Sequence, residues 1–223
     1  MSMLELQDVH YTYRTKAQAV EALCGVSAVF EPAKLYAVVG SSGSGKTTLL
    51  SLLAGLDVPE SGEIRFHGKS IADMDRDRYR FEHVSVIYQN FNLFAHLSAL
   101  ENVAYPLYLR GIPKKRAEEQ AAQCLASVGI GEDRYGRLPG MLSGGEQQRV
   151  AIARALASNA ELILADEPTG NLDITNGEQV VSILLRLAHE EGRCVIIVTH
   201  DLEIAAEADE ILMMRDGIME RGQ

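Results

Sequence analysis

The stretch Gly40-Ser41-Ser42-Gly43-Ser44-Gly45-Lys46-Thr47-Thr48 carries the spacing G-x-x-x-x-G-K-[ST], the pattern of a loop built to hold a polyphosphate. Glycines let the backbone wrap an anion with no Cβ in the way. Successive main-chain N–H groups and a helix N-terminus then point at the phosphates. A lysine at the place of Lys46 reaches the β- and γ-phosphates, and a hydroxyl at the place of Thr47 sits on Mg²⁺.

Two further stretches could act on the same ligand. Leu162-Ile163-Leu164-Ala165-Asp166-Glu167 is an apolar run that delivers two carboxylates at its end. In phosphate-loop nucleotidases the first acid, here Asp166, holds Mg²⁺ through its water shell, and Glu167 is then placed to polarise the water that attacks the γ-phosphate. Acids also follow strands merely to open loops; the phosphate loop upstream favours the chemical reading. In Leu142-Ser143-Gly144-Gly145-Glu146-Gln147-Gln148-Arg149, Ser143 and Glu146 have the S-x-x-E spacing of a capping box. A capped helix start with two glycines is also an anion site. The two roles are compatible.

The elements that must position these residues are legible around them. Leu35 to Val39 reads as a buried strand feeding the phosphate loop, and Leu49, Leu50, Leu52, Leu53 and Ala54 fall at helical spacing before Gly55, a stop signal. Leu4 to Tyr13 alternates with a period near two, Val20 to Phe30 is strand-like, and Glu63 to Gly68 alternates again after a Pro59-Gly62 turn. Those three pieces predict a small antiparallel sheet beside a parallel core. Val84 to Gln89 reads as a core strand. Leu97 to Leu109 and Lys114 to Val128 read as helices, the second with Ala117, Ala121, Leu125 and Val128 on one face. Leu162–Ala165 and Cys194–Val198 are strands of the doubly buried parallel type, joined by a helix-like stretch from Gly177 to Glu190. Asp216-Gly217 predicts a closing hairpin.

The chain has 223 residues, 47% hydrophobic and 23% charged, with a net charge of −10. That size fits one substantial core with an inserted subdomain. The acidic balance shows no footprint for a nucleic-acid backbone. Cys24, Cys124 and Cys194 are far apart and form no metal or disulfide spacing, so a reducing compartment is expected. No apolar run approaches the ~20 residues that span a bilayer, and the first residues lack signal-peptide regions. Any membrane connection is then expected through a partner.

Gly40 to Thr47, Leu142 to Glu146, Asp166-Glu167 and Thr199-His200-Asp201 occur in the order and at the separations of the ATP-binding cassette (ABC) ATPases, and the chain resembles that family along essentially its whole length. The resemblance implies an α/β fold: a RecA-like parallel-sheet core, a small antiparallel β subdomain and an inserted helical subdomain. Residues 1–223 would form one ABC domain, with residues 1–89 and 158–223 as the core and 90–157 as the helical part. It implies ATP and Mg²⁺ as ligands, and a head-to-tail dimer in which each nucleotide lies between one protomer's phosphate loop, Gly40 to Thr48, and the other's Ser143-Gly144-Gly145-Glu146. Residue by residue, Tyr13 matches the aromatic that stacks on adenine. Gln89 matches the hinge glutamine that senses Mg²⁺ and the attacking water. Asp173, in Gly170-Asn171-Leu172-Asp173, matches the loop that crosses the dimer interface, and His200 the histidine that contacts the γ-phosphate. Lys46, Gln89, Glu167 and His200 would be the catalytic set; Thr47, Gln89 and Asp166 the metal-facing set.

Within the family, Gln89-Asn90-Phe91-Asn92-Leu93, Leu97 to Val103 and Glu167 to Asp173 are most similar to the lipoprotein-release, macrolide-export and bacitracin-resistance ATPases. Ser41 stands where many relatives have proline and Tyr88 where many have phenylalanine; neither change removes a phosphate or metal contact. The implied function is ATP hydrolysis driving a permease, at the cytoplasmic face of the membrane. The partners would be an integral membrane permease and a second ATPase subunit, identical or a close paralogue, with no nucleic acid. A cell-division-type ATPase that transmits force without transport, and a non-transport cassette acting on nucleic acid, are the alternatives.

Overall fold

The computed structural model describes residues 2–14 and 18–222. In chain order its elements are β1 (Leu4–Arg14), β2 (Ala19–Phe30), β3 (Lys34–Val39), α1 (Lys46–Leu53), β4 (Ser61–Phe66), β5 (Lys69–Ser70), α2 (Arg76–His83) and β6 (Val84–Ile87). There follow α3 (Ala99–Leu109), α4 (Lys114–Ser127), α5 (Gly144–Ala157), β7 (Leu162–Asp166), α6 (Ile174–His189), β8 (Cys194–Thr199), α7 (Leu202–Ala206), β9 (Glu210–Arg215) and β10 (Ile218–Arg221).

Two sheets form the frame. One is antiparallel, in the order β2-β1-β4-β5, and the other has the order β10-β9-β3-β8-β7-β6. In the second, β9, β3, β8, β7 and β6 run parallel, and only β10 turns back as a hairpin on β9. The antiparallel sheet predicted from three alternating segments is present, with β5 as an added edge.

The central strands are apolar throughout because both their faces are covered. Leu35, Ala37 and Val39 of β3 belong to one core, with Ile163 and Ala165 of β7 and Val195 and Ile197 of β8. Their alternates Tyr36, Val38, Leu162, Leu164, Cys194, Ile196 and Val198 belong to a second. The period of two sorts one strand's side chains between two cores. The first core is closed by α3 to α6, the second by α1 and the antiparallel sheet.

Register decides where the loops emerge. Val39 pairs with Thr199, Asp166 with Val198, and Ile87 with Ala165. The ends of β3, β8, β7 and β6 are therefore level, and the loops that follow them open along one edge of the sheet. In open parallel sheets ligands bind at that carboxyl edge. The phosphate loop, Gln89, Glu167 and His200 follow those strand ends, whereas the Ser143 segment precedes α5 and does not.

Two helices have no counterpart in the sequence reading. Helix α2 is polar and buries only Tyr79, whose hydroxyl donates to Leu53 O at 2.9 Å. Its start is fixed by Asp75, which accepts from the N–H groups of Asp77 and Arg78, a cap that contributes about 1 kcal/mol. Helix α7 is five residues long, capped by Asp201. Strand β6 ends at Ile87, so Gln89 lies in the loop beyond it. Helix α6 begins at Ile174 rather than Gly177, because Asp173 caps it.

Candidate active site

The phosphate-loop segment joins β3 to α1, and the main chain around it explains its glycines. Gly43 and Gly45 have φ of +81° and +107°, a region that side chains disfavour. A Cβ on Gly45 would lie 2.4 Å from Ala22 O, and one on Gly40 would lie 2.2 Å from Met214 O. The loop is thus seated against β2 and the β9–β10 hairpin, whose Gly217 N–H donates to Ser44 O at 3.1 Å. Met214 and Gly217 support the loop through main-chain atoms, which no side-chain pattern announces.

Lys46 is buried, and its Nζ donates to Gly40 O at 2.6 Å and Ser41 O at 2.9 Å. Its charge is thereby held across the loop itself. Ser44 Oγ is buried with no hydrogen-bond partner among the described residues. Leaving such a group unpaired costs about 1–3 kcal/mol, and an anionic oxygen in the loop would relieve it. Thr47 is exposed at the loop's mouth. Beside it, the Thr48 hydroxyl donates to Tyr13 Oη at 3.3 Å, and the Tyr13 ring, 48% exposed, meets Tyr11 edge-on at 5.0 Å. Tyr13 thus offers an accessible aromatic ring next to the start of α1.

The two carboxylates have different surroundings. Asp166 ends β7, and its pKa is raised by desolvation and then by the Glu167 charge, with Lys46 pulling the other way. Glu167 leaves the strand in a left-handed conformation, φ +46°, and its N–H donates to Val198 O at 2.9 Å. Its Oε1 lies 2.9 Å from His200 Nδ1, and its Oε2 accepts from the Thr199 hydroxyl at 3.3 Å. A carboxylate fixed at both oxygens beside an exposed imidazole can orient a water and accept its proton. Gln89 approaches from β6: its carbonyl accepts from Asn171 Nδ2 at 3.0 Å, and a Cβ on Gly170 would lie 2.9 Å from Gln89 Nε2. Lys46, Thr47, Gln89, Asp166, Glu167 and His200 therefore belong to the one carboxyl edge.

Those residues fit a nucleotide and its cation. The loop offers donors to phosphate, while Thr47, Asp166 and Gln89 offer oxygens, the ligands Mg²⁺ prefers. Among the described residues no cluster of three His, Cys, Asp or Glu residues could cage a metal. A Mg²⁺ here would depend on phosphate oxygens and water, as that ion commonly does.

Ser143, Gly144, Gly145 and Glu146 are elsewhere. Ser143 Oγ accepts from Glu146 N–H at 3.3 Å, and Glu146 Oε2 accepts from Ser143 N–H at 2.8 Å, so the capping box is complete. Arg134 Nε donates to the other oxygen of Glu146 at 3.0 Å. Gly145 abuts α6, where a Cβ would lie 2.3 Å from Asn176 Oδ1. Asp173 accepts from the Asn176 N–H at 2.9 Å and from its Nδ2 at 2.7 Å. Asn176 in turn accepts from Arg149 at 2.9 Å. Ser143 and Asp173 thus share one tied rim, exposed to solvent. Among the described residues no hydrogen bond joins Ser143–Glu146 to the phosphate loop. A cleft of about 770 Å³ runs beside Glu167 and His200, lined also by Asp173 and Ile174 but not by the phosphate loop.

Comparison with known proteins places this geometry. The sequence model of the family described as ABC transporter matches residues 23–170. The chain is 43% identical to the lipoprotein-releasing system ATP-binding protein LolD of Hahella chejuensis, over 97% of this chain and 95% of that one. It is 44% identical to the macrolide export ATP-binding/permease protein MacB of Syntrophobacter fumaroxidans over 99% of its own length, which is 31% of that larger protein. Its fold superposes with a TM-score of 0.91 and 36% identity on the ATP-binding cassette MJ0796, a dimeric post-hydrolysis state bound to ADP and Pi, covering 98% of each chain. With a family match over residues 23–170 and 43% identity to a relative of nearly equal length, this protein belongs to the ABC transporter family as one of its ATP-hydrolysing cassettes.

Proposed function

We propose that this chain works as a head-to-tail pair, hydrolysing ATP at two shared sites to drive an integral membrane permease. The observation that carries the reading is the separation of its two anion-receptive parts. Lys46 and the phosphate loop open on the carboxyl edge, while the capped Ser143 helix start faces solvent on another rim, with no hydrogen bond to that loop among the described residues. An ATP seated on one copy leaves its terminal phosphate for a second copy's Ser143–Glu146 to cover.

In this reading Lys46 exchanges its bonds to Gly40 O and Ser41 O for the β- and γ-phosphates, and Ser44 and the loop N–H groups take the remaining oxygens. Bound Mg²⁺ would supply charge neutralisation at the β- and γ-oxygens, held from Thr47, Asp166 and Gln89. Glu167 orients the attacking water and accepts its proton, fixed by Thr199 and His200. His200, still exposed, also faces the transferred phosphoryl group. Tyr13 stacks on the base. Loss of the γ-phosphate removes the contacts that span the pair, Asp173 lies in the loop between the two sites, and the pair opens.

Residues 1–89 and 158–223 form the core in this scheme, and residues 90–157 the helical part that meets the permease. Among the described residues no helix is long and apolar enough to cross a membrane; in this reading a separate permease holds the chain at the cytoplasmic face. The second ATPase subunit is another copy or a close paralogue. The names of the LolD and MacB relatives favour export or membrane extraction of a lipoprotein, peptide or antimicrobial as the work done. The test is to extract the chain from membranes in mild detergent and identify what accompanies it. A polytopic permease whose presence alters ATP hydrolysis is expected. Recovery of the chain with no membrane protein, under conditions that preserve its ATPase activity, would overturn the permease assignment.

A further inference from the structure

Arg154 lies in the last turn of α5, the helix that begins after Ser143. It is half-buried, and burial pulls its pKa below the ordinary guanidinium value. Among the described residues no carboxylate lies within ion-pair distance of it. A desolvated cation needs an answering partner, and Arg154 finds two main-chain carbonyls. It donates from Nη1 to Asn92 O at 2.7 Å and from Nη2 to Phe91 O at 3.1 Å, with its Cζ 6.0 Å from the Phe94 ring centre. A cation near a helix C-terminus often serves its own helix's carbonyls. These partners are 62 and 63 residues away in sequence.

Phe91 and Asn92 are consecutive left-handed residues, with φ of +61° and +46°. Side chains disfavour that region, and two such residues in succession persist only where their surroundings over-determine them. They follow Gln89 by two and three positions. The segment is held at three points: Asn171 on Gln89 O, Arg154 on Phe91 O and Asn92 O, and Asn102, which bonds both Phe94 N–H and Phe94 O. These anchors come from the core loop before α6, from α5 and from α3. Arg154 supplies the middle one, on the strained residues themselves. It stands eleven residues along α5 from Ser143, about 16 Å at the helical rise.

We infer that Arg154 is a positioning residue for hydrolysis: its guanidinium fixes the strained backbone after Gln89, and so ties Gln89's placement to the helix that carries Ser143. The inference rests on the proposed roles of Gln89 and Glu167. A displacement felt at the Ser143 end of α5 then reaches the carboxyl edge through a rigid helix and two hydrogen bonds.

The test uses the full chain with Arg154→Ala, Arg154→Lys, Gln89→Ala and the double variant. In Arg154→Ala, amide hydrogen exchange at residues 91–94 should quicken about tenfold or more while the interior of α5 keeps its protection. ATP hydrolysis should lose about tenfold or more in kcat, with KM little changed. Arg154→Lys, which retains a cation within reach of one carbonyl, should recover part of that loss. If Arg154 acts through Gln89, the double variant falls no further than the worse single one. Unchanged exchange at 91–94, a kcat within about twofold of wild type, or losses that simply add would overturn the inference. Should Arg154→Ala fail to fold, the exchange and kcat of Arg154→Lys decide by the same criteria. Wild-type chain that hydrolyses no ATP would sink the hydrolytic reading as well; an active wild type with an equally active Arg154→Ala sinks this inference alone.

Discussion

Glu167 Oε1 lies 2.9 Å from His200 Nδ1, and the glutamate that makes this contact sits at φ +46°, with its own N–H donating to Val198 O. The strand that delivers Asp166 in extended backbone therefore turns sharply at the next residue, and the turn is gripped at three places, by Val198 and Thr199 of β8 and by His200 just after it. A left-handed glutamate costs about 1–3 kcal/mol. The neighbouring strand holds it there, and the carboxylate arrives already oriented.

Replacing Glu167 by Gln keeps the side chain's shape and removes its capacity to take a proton. ATP binding should stay near wild type while kcat falls by at least about a hundredfold. With hydrolysis stalled, the chain should elute as a dimer in Mg-ATP and as a monomer without it. Turnover near the normal rate would remove Glu167 from the proton-accepting role.

The phosphate loop separates binding from folding. Among the described residues the Lys46 ammonium bonds only to loop carbonyls, so Lys46→Ala should lower ATP affinity by at least about tenfold with little change in melting temperature. Gly45→Ala should disturb folding as well as binding. Its Cβ would meet Ala22 O at 2.4 Å in a residue with φ +107°, so the variant should lose several degrees of melting temperature even without nucleotide. Nucleotide titration and thermal unfolding of the two variants check both halves.

How much of this was legible follows from where the information lies. Doubly buried strands write themselves as unbroken apolar runs, so β3, β7 and β8 were readable, and the phosphate loop announced itself by spacing. Helix α2 was not readable, because Tyr79 is its only buried anchor and a single apolar residue has no period. The apolar period starts α6 three residues late, at Gly177: Ile174, 82% exposed, breaks the apolar face, and the Asp173 cap signals the true start. The seat of the phosphate loop on Met214 O and Ala22 O, and the grip of Arg154 on Phe91 O and Asn92 O, are side-chain-independent at one end. A carbonyl belongs to every residue type, so no sequence pattern marks it.

Glu146 gives a pH dependence of known sign. The Ser143 N–H holds its carboxyl below the usual value of 4.5, against the opposing effect of desolvation and with Arg134 assisting. A folded-state pKa below the unfolded one stabilises the fold above the unfolded value, and that contribution disappears as pH falls through the folded pKa. The stability gap between wild type and Glu146→Gln should therefore hold from neutrality down to about pH 5 and shrink below about pH 4. Urea unfolding across that range measures it; a gap that stayed constant down to pH 3 would show that the ionised carboxylate is not what stabilises the cap.

Ser143 has a structural duty and a proposed ligand-facing one, and Asp separates them. Aspartate caps helices as well as serine and suits the positive helix start, so Ser143→Asp should fold as stably as wild type. Its charge would repel the terminal phosphate of a neighbour's ATP, and Mg-ATP should no longer dimerise it in the Glu167→Gln background. Ser143→Ala should instead cost about 1 kcal/mol of stability and leave dimerisation partly intact. Shared sites make a sharper claim. A pair formed from one Ser143→Asp copy and one Lys46→Ala copy, each otherwise wild type, contains one site with both Lys46 and Ser143 intact and one with neither. Mixing these two inactive proteins should therefore restore hydrolysis, and rising concentration of either partner should saturate it. Were each nucleotide held by residues of a single chain, no mixture of the two could hydrolyse ATP, because every site would carry one of the defects.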